Sequence, residues 1–225
     1  MAIQDQLDFT DMLGQGSKGE MELFPAVWMA LEALSSPIAG TRRNGIDELV
    51  RLNAPRFSSL VAYVLATRIS DPDISIRINV IKALGDVLAP DDEGKMAPEI
   101  VRQHLVGTLT QIRQRPIFAL LEATAEEDEL DQHVARLLNA CPQAGNTLID
   151  ILSDRKISIK IRKQAAHFLG SVGYLDAIPS LERLITRLQS RLNGQHAMPF
   201  AGSAILEDSE LLPVVLDTLT VLQAP

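Results

Sequence analysis

The chain has 225 residues, of which 46% are hydrophobic, 4% are aromatic and 22% are charged. These proportions indicate a folded protein with a substantial core and exclude an intrinsically disordered chain. The net charge of −8 argues against a protein that mainly binds a phosphate backbone, because that affinity comes from Lys and Arg side chains that replace counterions, so we expect no nucleic-acid partner.

Residues 1–19 are predicted to form a flexible tail. They contain Gly14, Gly16 and Gly19 in the spacing G-x-G-x-x-G. A nucleotide-binding loop of that type needs a strand before it and a βαβ unit around it. The sequence has no strand pattern, so we interpret these glycines as part of a linker.

The sequence contains no pattern typical of export or of a membrane span. Asp5, Asp8 and Asp11 lie where a secretory signal would be basic and then apolar. No apolar run approaches the roughly 20 residues that cross a bilayer. The single cysteine, Cys141, cannot form an internal disulfide, which fits a reducing compartment. We expect a cytoplasmic protein with no membrane partner.

From residue 20 onward, apolar residues recur at helical spacing, and they never alternate for long enough to suggest a half-buried strand. Proline and glycine fall between the apolar clusters, as is typical of connections. We therefore predict one all-α domain over residues 20–225. Its predicted helices are 20–34, 41–53, 57–70, 74–89, 97–114, 116–125, 129–141, 144–153, 158–172, 175–193 and 207–223.

Three of these segments share one pattern when they are aligned on an arginine, at Arg42, Arg77 and Arg162. Small or apolar residues follow at positions +3, +4, +7, +8 and +10, and a weaker copy begins at Asp131. A two-helix unit cannot bury both of its apolar stripes alone, so such recurrence indicates stacked units. We predict repeats near 36–70, 71–114, 116–153 and 154–193, followed by a C-terminal capping helix at 207–223.

The run Asp71-Pro-Asp-Ile-Ser-Ile-Arg77, continued by Ala83-Leu84-Gly85-Asp86-Val87, resembles a HEAT or HEAT-like repeat. The segment from Ile161-Arg162 through Leu169-Gly170 is similar. The resemblance implies an α-solenoid of stacked antiparallel helix pairs, a superhelix of the HEAT-like or armadillo type. It also implies that Asp71 and Arg77 support each other and the adjacent unit. We expect Gly85 and Gly170, both at position +8, to let paired helices approach closely.

The array is not regular along its length. The anchors Arg42, Arg77, Asp131 and Arg162 are separated by 35, 54 and 31 residues. We therefore expect an interrupted middle, with an extra helix at 116–125 in the long gap.

No arrangement typical of catalysis or metal binding is found in the sequence. Histidines 104, 133, 167 and 196 are scattered singly, without the spacing of a zinc site. No serine lies in a strand-to-helix elbow, and Cys141 falls at a core position of its helix. We predict no catalytic residue, no metal site and no cofactor.

Formal charge is distributed unevenly along the chain. Residues 116–153 carry −6, residues 154–193 carry +5 and residues 194–225 carry −4. The net value therefore hides a basic block over the last predicted repeat, and this block is the first place where we look for a partner.

Within the basic block, Arg183, Arg187 and Arg191 recur every four residues along one flank of the predicted helix. Arg102 and Arg113 flank the equivalent helix of an earlier repeat. In HEAT-like arrays the second helices line the concave surface, so these arginines would suit an acidic peptide, a phosphate or a carboxylate ligand.

Few aromatic residues are available for an interface. Tyr63 lies opposite the apolar stripe of its helix and is the best candidate anchor for a partner. Trp28 and Phe24, four residues apart, are expected to cap the open end of the core.

Repeat architecture without a catalytic group favours a non-enzymatic module that binds or scaffolds a protein partner, acidic partners included, on its concave helices. One alternative is a chromophore-handling protein, because short HEAT-like repeats resemble those of the bilin lyases of phycobilisomes. A HEAT-like DNA glycosylase is a weaker alternative, since it needs a basic groove with aromatic residues. The sequence leaves the oligomeric state open.

Overall fold

A computed structural model describes residues 24–195 and 203–224, and within these ranges the chain is all-α and contains no strand. The all-α prediction is confirmed for this part of the chain. The predicted tail, with its three glycines, and the first residues of the predicted domain lie outside the described residues. The twelve α-helices of the described ranges are α1 (Pro25–Ala33), α2 (Ala39–Arg51), α3 (Ala54–Phe57), α4 (Ser59–Ala66), α5 (Ile74–Val87), α6 (Glu99–Leu109), α7 (Gln114–Glu126), α8 (Asp131–Asn139), α9 (Ala144–Ser153), α10 (Ile159–Val172), α11 (Ile178–Gln195) and α12 (Ser203–Gln223).

Local sequence explains several helix ends. The hydroxyl of Ser58 accepts a hydrogen bond from the backbone N–H of Val61 at 3.1 Å, which caps the start of α4. The carboxylate of Asp73 accepts one from the N–H of Ser75 at 2.9 Å at the start of α5. Helix α10 ends at Gly173, whose φ of 83° lies in the left-handed region that glycine adopts without strain.

Several predicted helix boundaries differ from the structure. The helix predicted at 97–114 ends at Leu109, and Arg113 occupies the N-cap position of α7. Asn53, with a φ of 52°, separates α2 from the four-residue helix α3. Asparagine is one of the few residues that tolerate this conformation.

Contacts arrange most of the helices in two rows. In one row, α2, α5, α8, α10 and α12 each pack against the next. In the other row, α4 packs against α6, and α9 packs against α11. The rows are joined because α9 packs on α10 and α11 packs on α12.

Helix α7 departs from this arrangement, because it packs against α5, α8, α9 and α10. Its buried residues form a nearly continuous run, which consists of Ile117, Ala119, Leu120, Leu121, Ala123, Thr124 and Ala125. A helix that is apolar almost all round has to be surrounded by others. It occupies the position of the extra helix that was predicted at 116–125.

The aligned positions +3, +4 and +7 are buried in all three copies of the pattern. They are Gly45, Ile46 and Leu49, then Val80, Ile81 and Leu84, then Ala165, Ala166 and Leu169. Position +8 is less uniform, because Val50 is 48% exposed whereas Gly85 is buried.

Neither glycine at position +8 brings paired helices together as expected, although Gly85 does permit a close approach of two helices. A Cβ added at Gly85 would lie 2.7 Å from the Cβ of His133, so α5 and α8 approach as they do only because Gly85 lacks one. This contact joins neighbouring units and not paired helices. A Cβ at Gly170 would meet its nearest neighbour, the Cγ2 of Thr218, at 3.5 Å, which is an ordinary contact.

The expectation that Trp28 and Phe24 close the end of the core is also wrong. Trp28 is 62% exposed and Phe24 is 37% exposed. Helix α1 packs on α2, and its buried residues are Val27 and Ala30, on the opposite face from Trp28.

Candidate partner-binding groove

Arg42, the anchor arginine of the first predicted repeat, forms a buried ion pair with Asp71, the first residue of the next predicted repeat. Arg42 donates from Nε and Nη2 to the two carboxylate oxygens of Asp71, at 2.9 and 2.8 Å. Its Nη1 also donates to the carbonyl oxygens of Ser36 and Pro37. Asp71 therefore supports the preceding unit, and the expected mutual support of Asp71 and Arg77 is wrong.

The other two anchor arginines also pair with acids that come later in the chain. Arg77 donates to Glu122 of α7 at 2.9 Å. Arg162 is fully buried, donates to the carbonyl of Leu152 at 2.9 Å and lies 3.8 Å from Glu207 of α12. Burial lowers the pKa of Arg162, and the nearby carboxylates of Asp208 and Glu207 raise it. Each anchor thus joins its own helix to an acid that comes later in the chain.

Much of the basic block is neutralised by the acidic helix α12. Asp208 is buried and lies 3.3 Å from Arg155 and 3.5 Å from Arg191. Glu210 accepts a hydrogen bond from Lys163 at 2.7 Å. The +5 and −4 blocks of the sequence therefore meet within the chain, and their charges hold α12 in place.

The acidic block is paired in the same way. Glu126 lies 3.3 Å from Lys160, and Asp131 lies 3.0 Å from His167. Glu127 accepts a hydrogen bond from Lys82. Neither charged block is a free surface along its whole length.

Arg183 and Arg187 are the part of the basic row that faces an open groove. The groove has a volume of about 690 Å³, and it is lined by Ile149 and Ser153 of α9 and by the face of α11 that runs from Pro179 to Arg187. Arg183 donates only within its own helix, to the carbonyl of Pro179 and to the hydroxyl of Ser180, both at 3.1 Å. Arg187 is exposed and forms no ion pair with any described residue.

Helical geometry explains why Arg191 does not face the groove together with Arg183 and Arg187. Four residues advance about 400° around an α-helix, so each member of the row is turned by about 40° from the last. Arg191 is therefore rotated by about 80° from Arg183, toward α12. It is committed to Asp208 and lies outside the groove lining.

The other predicted contact residues do not line this groove. Tyr63 is 52% exposed on α4. Arg102 donates to the carbonyl of Ala97 at 3.0 Å and to the carboxylate of Glu99, which keeps it on its own helix. Arg113 is exposed and donates to the side-chain oxygen of Gln143, just before α9.

Tyr174 packs partly buried against the core, and Cys141 lies within it. The hydroxyl of Tyr174 donates to the carbonyl of Leu138 at 2.7 Å, and burial raises the pKa of Tyr174. Burial also raises the pKa of the Cys141 thiol, which is fully enclosed. A buried thiol with a raised pKa is a poor nucleophile, because the thiolate is the reactive form.

The described residues contain no group of three or more His, Cys, Asp or Glu side chains able to hold a metal ion. None of the described helices is long and apolar enough to cross a membrane.

Asp208, the carboxylate that lies against Arg155 and Arg191, was not among the predicted site residues. A signal was present, because a block of −4 directly follows a block of +5 in the chain. Ile149 and Ser153 were not predicted either, and they lie in the groove because α9 packs beside α11.

Comparisons with protein-family models, with curated proteins and with solved structures gave no match to this chain.

Proposed function

We propose that the chain is a HEAT-like α-solenoid that acts as a non-enzymatic protein-binding module, and that an acidic segment of its partner contacts Arg183 and Arg187 in the groove between α9 and α11. The cytoplasm is the compartment that we propose, because the cysteine Cys141 is a buried free thiol.

The solenoid part of the proposal is supported by the forward pairing of the anchors. Arg42, Arg77 and Arg162 stand at aligned positions of the sequence, and each lies against an acid that comes later in the chain. Repeating units that contact their neighbours through equivalent residues are the defining property of a solenoid. The consecutive packing of α2, α5, α8, α10 and α12 agrees with this.

The single observation that carries the binding proposal is the state of Arg183 and Arg187. Most cations of the basic block are paired with carboxylates of the same chain. These two guanidiniums instead face an open groove without a carboxylate partner among the described residues. Arginine presents several N–H donors in a planar fork that matches a carboxylate, so an acidic partner fits them.

The alternatives receive less support from the groove. Its described lining residues include no aromatic ring, and Glu182 lies beside the two arginines. A glycosylase stacks a flipped base between aromatic or apolar side chains, and a conjugated chromophore also gains most from such surfaces. A protein ligand with carboxylates needs neither.

The test is a quantitative comparison of captured partners. We expect Arg183→Glu with Arg187→Glu to lose the partners that wild type retains, because the groove would then repel acidic segments. Arg51→Glu with Arg115→Glu is the matched control, since both arginines are exposed and lie outside the groove. Circular dichroism establishes that each variant is folded. Equal capture by all three proteins would rule out the groove as the binding site.

A further inference from the structure

The geometry points to a partner segment in extended conformation, with two acidic side chains two residues apart that face Arg183 and Arg187. This inference rests on the proposed function and adds the conformation and spacing of the ligand.

The spacing of the two arginines sets the spacing of the acids. Arg183 and Arg187 are one helical turn apart on α11, which is about 6 Å along the axis. In an extended chain, residues two apart lie on the same side and about 6.6 Å from each other. Two carboxylates in that pattern reach both guanidiniums at once. Glutamates four apart on a helix match the same distance, so spacing alone does not decide between the two conformations.

The hydroxyls of the groove favour an extended ligand. Ser153, Ser180 and Thr186 line it together with the arginines. Each hydroxyl has a donor and two acceptor sites, so capacity remains even where Ser180 accepts from Arg183 and Thr186 donates to the Glu182 carbonyl. An extended peptide presents N–H and C=O groups that need such partners. A helix has already paired these groups internally.

The way in which this chain binds a helix of its own gives a direct comparison. Helix α12 is seated on α10 and α11 by buried apolar side chains, among them Leu211 and Val215, as well as by its acids. The groove offers little of this kind, because Ile149 and Pro179 are its main apolar lining residues. A helical partner would leave its apolar stripe poorly covered there.

Glu182 limits the number of acids that the groove accepts. It lines the same surface and takes a long hydrogen bond of 3.4 Å from the side-chain amide of Gln223. A third acid near Glu182 would be repelled, since like charges at close range are unfavourable. We therefore expect a ligand with two well-placed acids and not a long polyacidic run.

The experiment compares two fluorescent peptides of equal length and charge by anisotropy with the full chain. The extended peptide carries Thr-Glu-Val-Glu-Thr, in which β-branched residues favour extended structure. The helical peptide carries two glutamates four apart and a hydrocarbon staple outside the acidic pair. An extended peptide with both glutamates replaced by glutamine reports binding that does not depend on charge.

We expect the extended peptide to bind at least about tenfold more tightly than the helical and the glutamine peptides. Arg183→Ala with Arg187→Ala should weaken its binding by at least about tenfold, whereas Arg51→Ala with Arg115→Ala should leave it unchanged. Tighter binding of the stapled helix, lost in the groove variant, would overturn the extended conformation and leave the proposed function standing. Binding of neither peptide, or binding that is indifferent to the groove substitutions, would overturn both.

Discussion

Arg42 and Asp71 form a two-pronged ion pair in which both side chains are buried, and the pair joins α2 to the residues that precede α5. Asp71 also accepts a hydrogen bond from the N–H of Asp73 at 2.9 Å. The same carboxylate therefore fixes the turn that leads into α5 and the contact with α2.

Replacing Asp71 by alanine should lower the melting temperature by about 5–10 °C, because a buried guanidinium loses its partner. Thermal unfolding followed by circular dichroism measures the change. Arg51→Ala is the control, since Arg51 pairs with Glu48 on the surface and such pairs contribute little. If both variants lowered the melting temperature by similarly small amounts, the buried pair would contribute no more to stability than a surface pair does.

The two glycines at position +8 should respond to alanine in opposite directions. Gly85→Ala should reduce the free energy of unfolding by about 1–3 kcal/mol, because its Cβ would overlap His133 and force α5 from α8. Gly170→Ala should raise it by about 0.5–1 kcal/mol, because alanine is the better helix former and the site has room. Urea unfolding of both variants measures the difference. Two destabilised variants would contradict the packing described at Gly170.

Asp208→Asn should loosen α12 more than it loosens any other described part of the chain. It would leave Arg155, Arg162 and Arg191 close together without the buried carboxylate, at a cost of about 2–4 kcal/mol. Hydrogen exchange should rise first in the amides of 206–223.

The control for this variant is Glu210→Gln, which removes an exposed acid from the same helix. Its pair with Lys163 lies at the surface, so we expect less than about 1 kcal/mol and little change in exchange. If Asp208→Asn left the exchange of α12 unaltered, apolar packing alone would be holding that helix.

Tyr174→Phe should reduce the free energy of unfolding by about 0.5–1.5 kcal/mol, since the carbonyl of Leu138 loses a partly buried hydrogen bond. Tyr63→Phe removes the same atom from an exposed ring and should change the free energy of unfolding by less than about 0.5 kcal/mol. Equal effects in chemical denaturation would mean that the hydroxyl of Tyr174 does not stabilise the fold.

The local parts of the fold could be predicted because helical periodicity depends on neighbours along the chain. Ile46, Ile81 and Ala166 are buried as their spacing indicates. Partners distant in sequence could not be predicted in the same way. Arg42 and Asp71 are 29 residues apart, and the order of the residues does not show which acid each anchor reaches.

In the candidate site, too, the local features could be predicted and the partners distant in sequence could not. Arg183 and Arg187 follow from spacing along one helix, whereas the loss of Arg191 to Asp208 depends on where α12 packs. The groove exists because α9 lies beside α11, which brings Ile149 near the arginines. Charge summed by block located the region but not the pairs, because it counts cations without showing which of them are already neutralised.

The central packing of α7 affects how the molecule unfolds. In a strictly modular array each unit touches only its neighbours, so one unit can melt or be deleted while the rest remain. Because α7 is enclosed by α5, α8, α9 and α10, exposing it breaks contacts on both sides of the centre at once. We therefore expect the helices before and after α7 to unfold in a single cooperative transition.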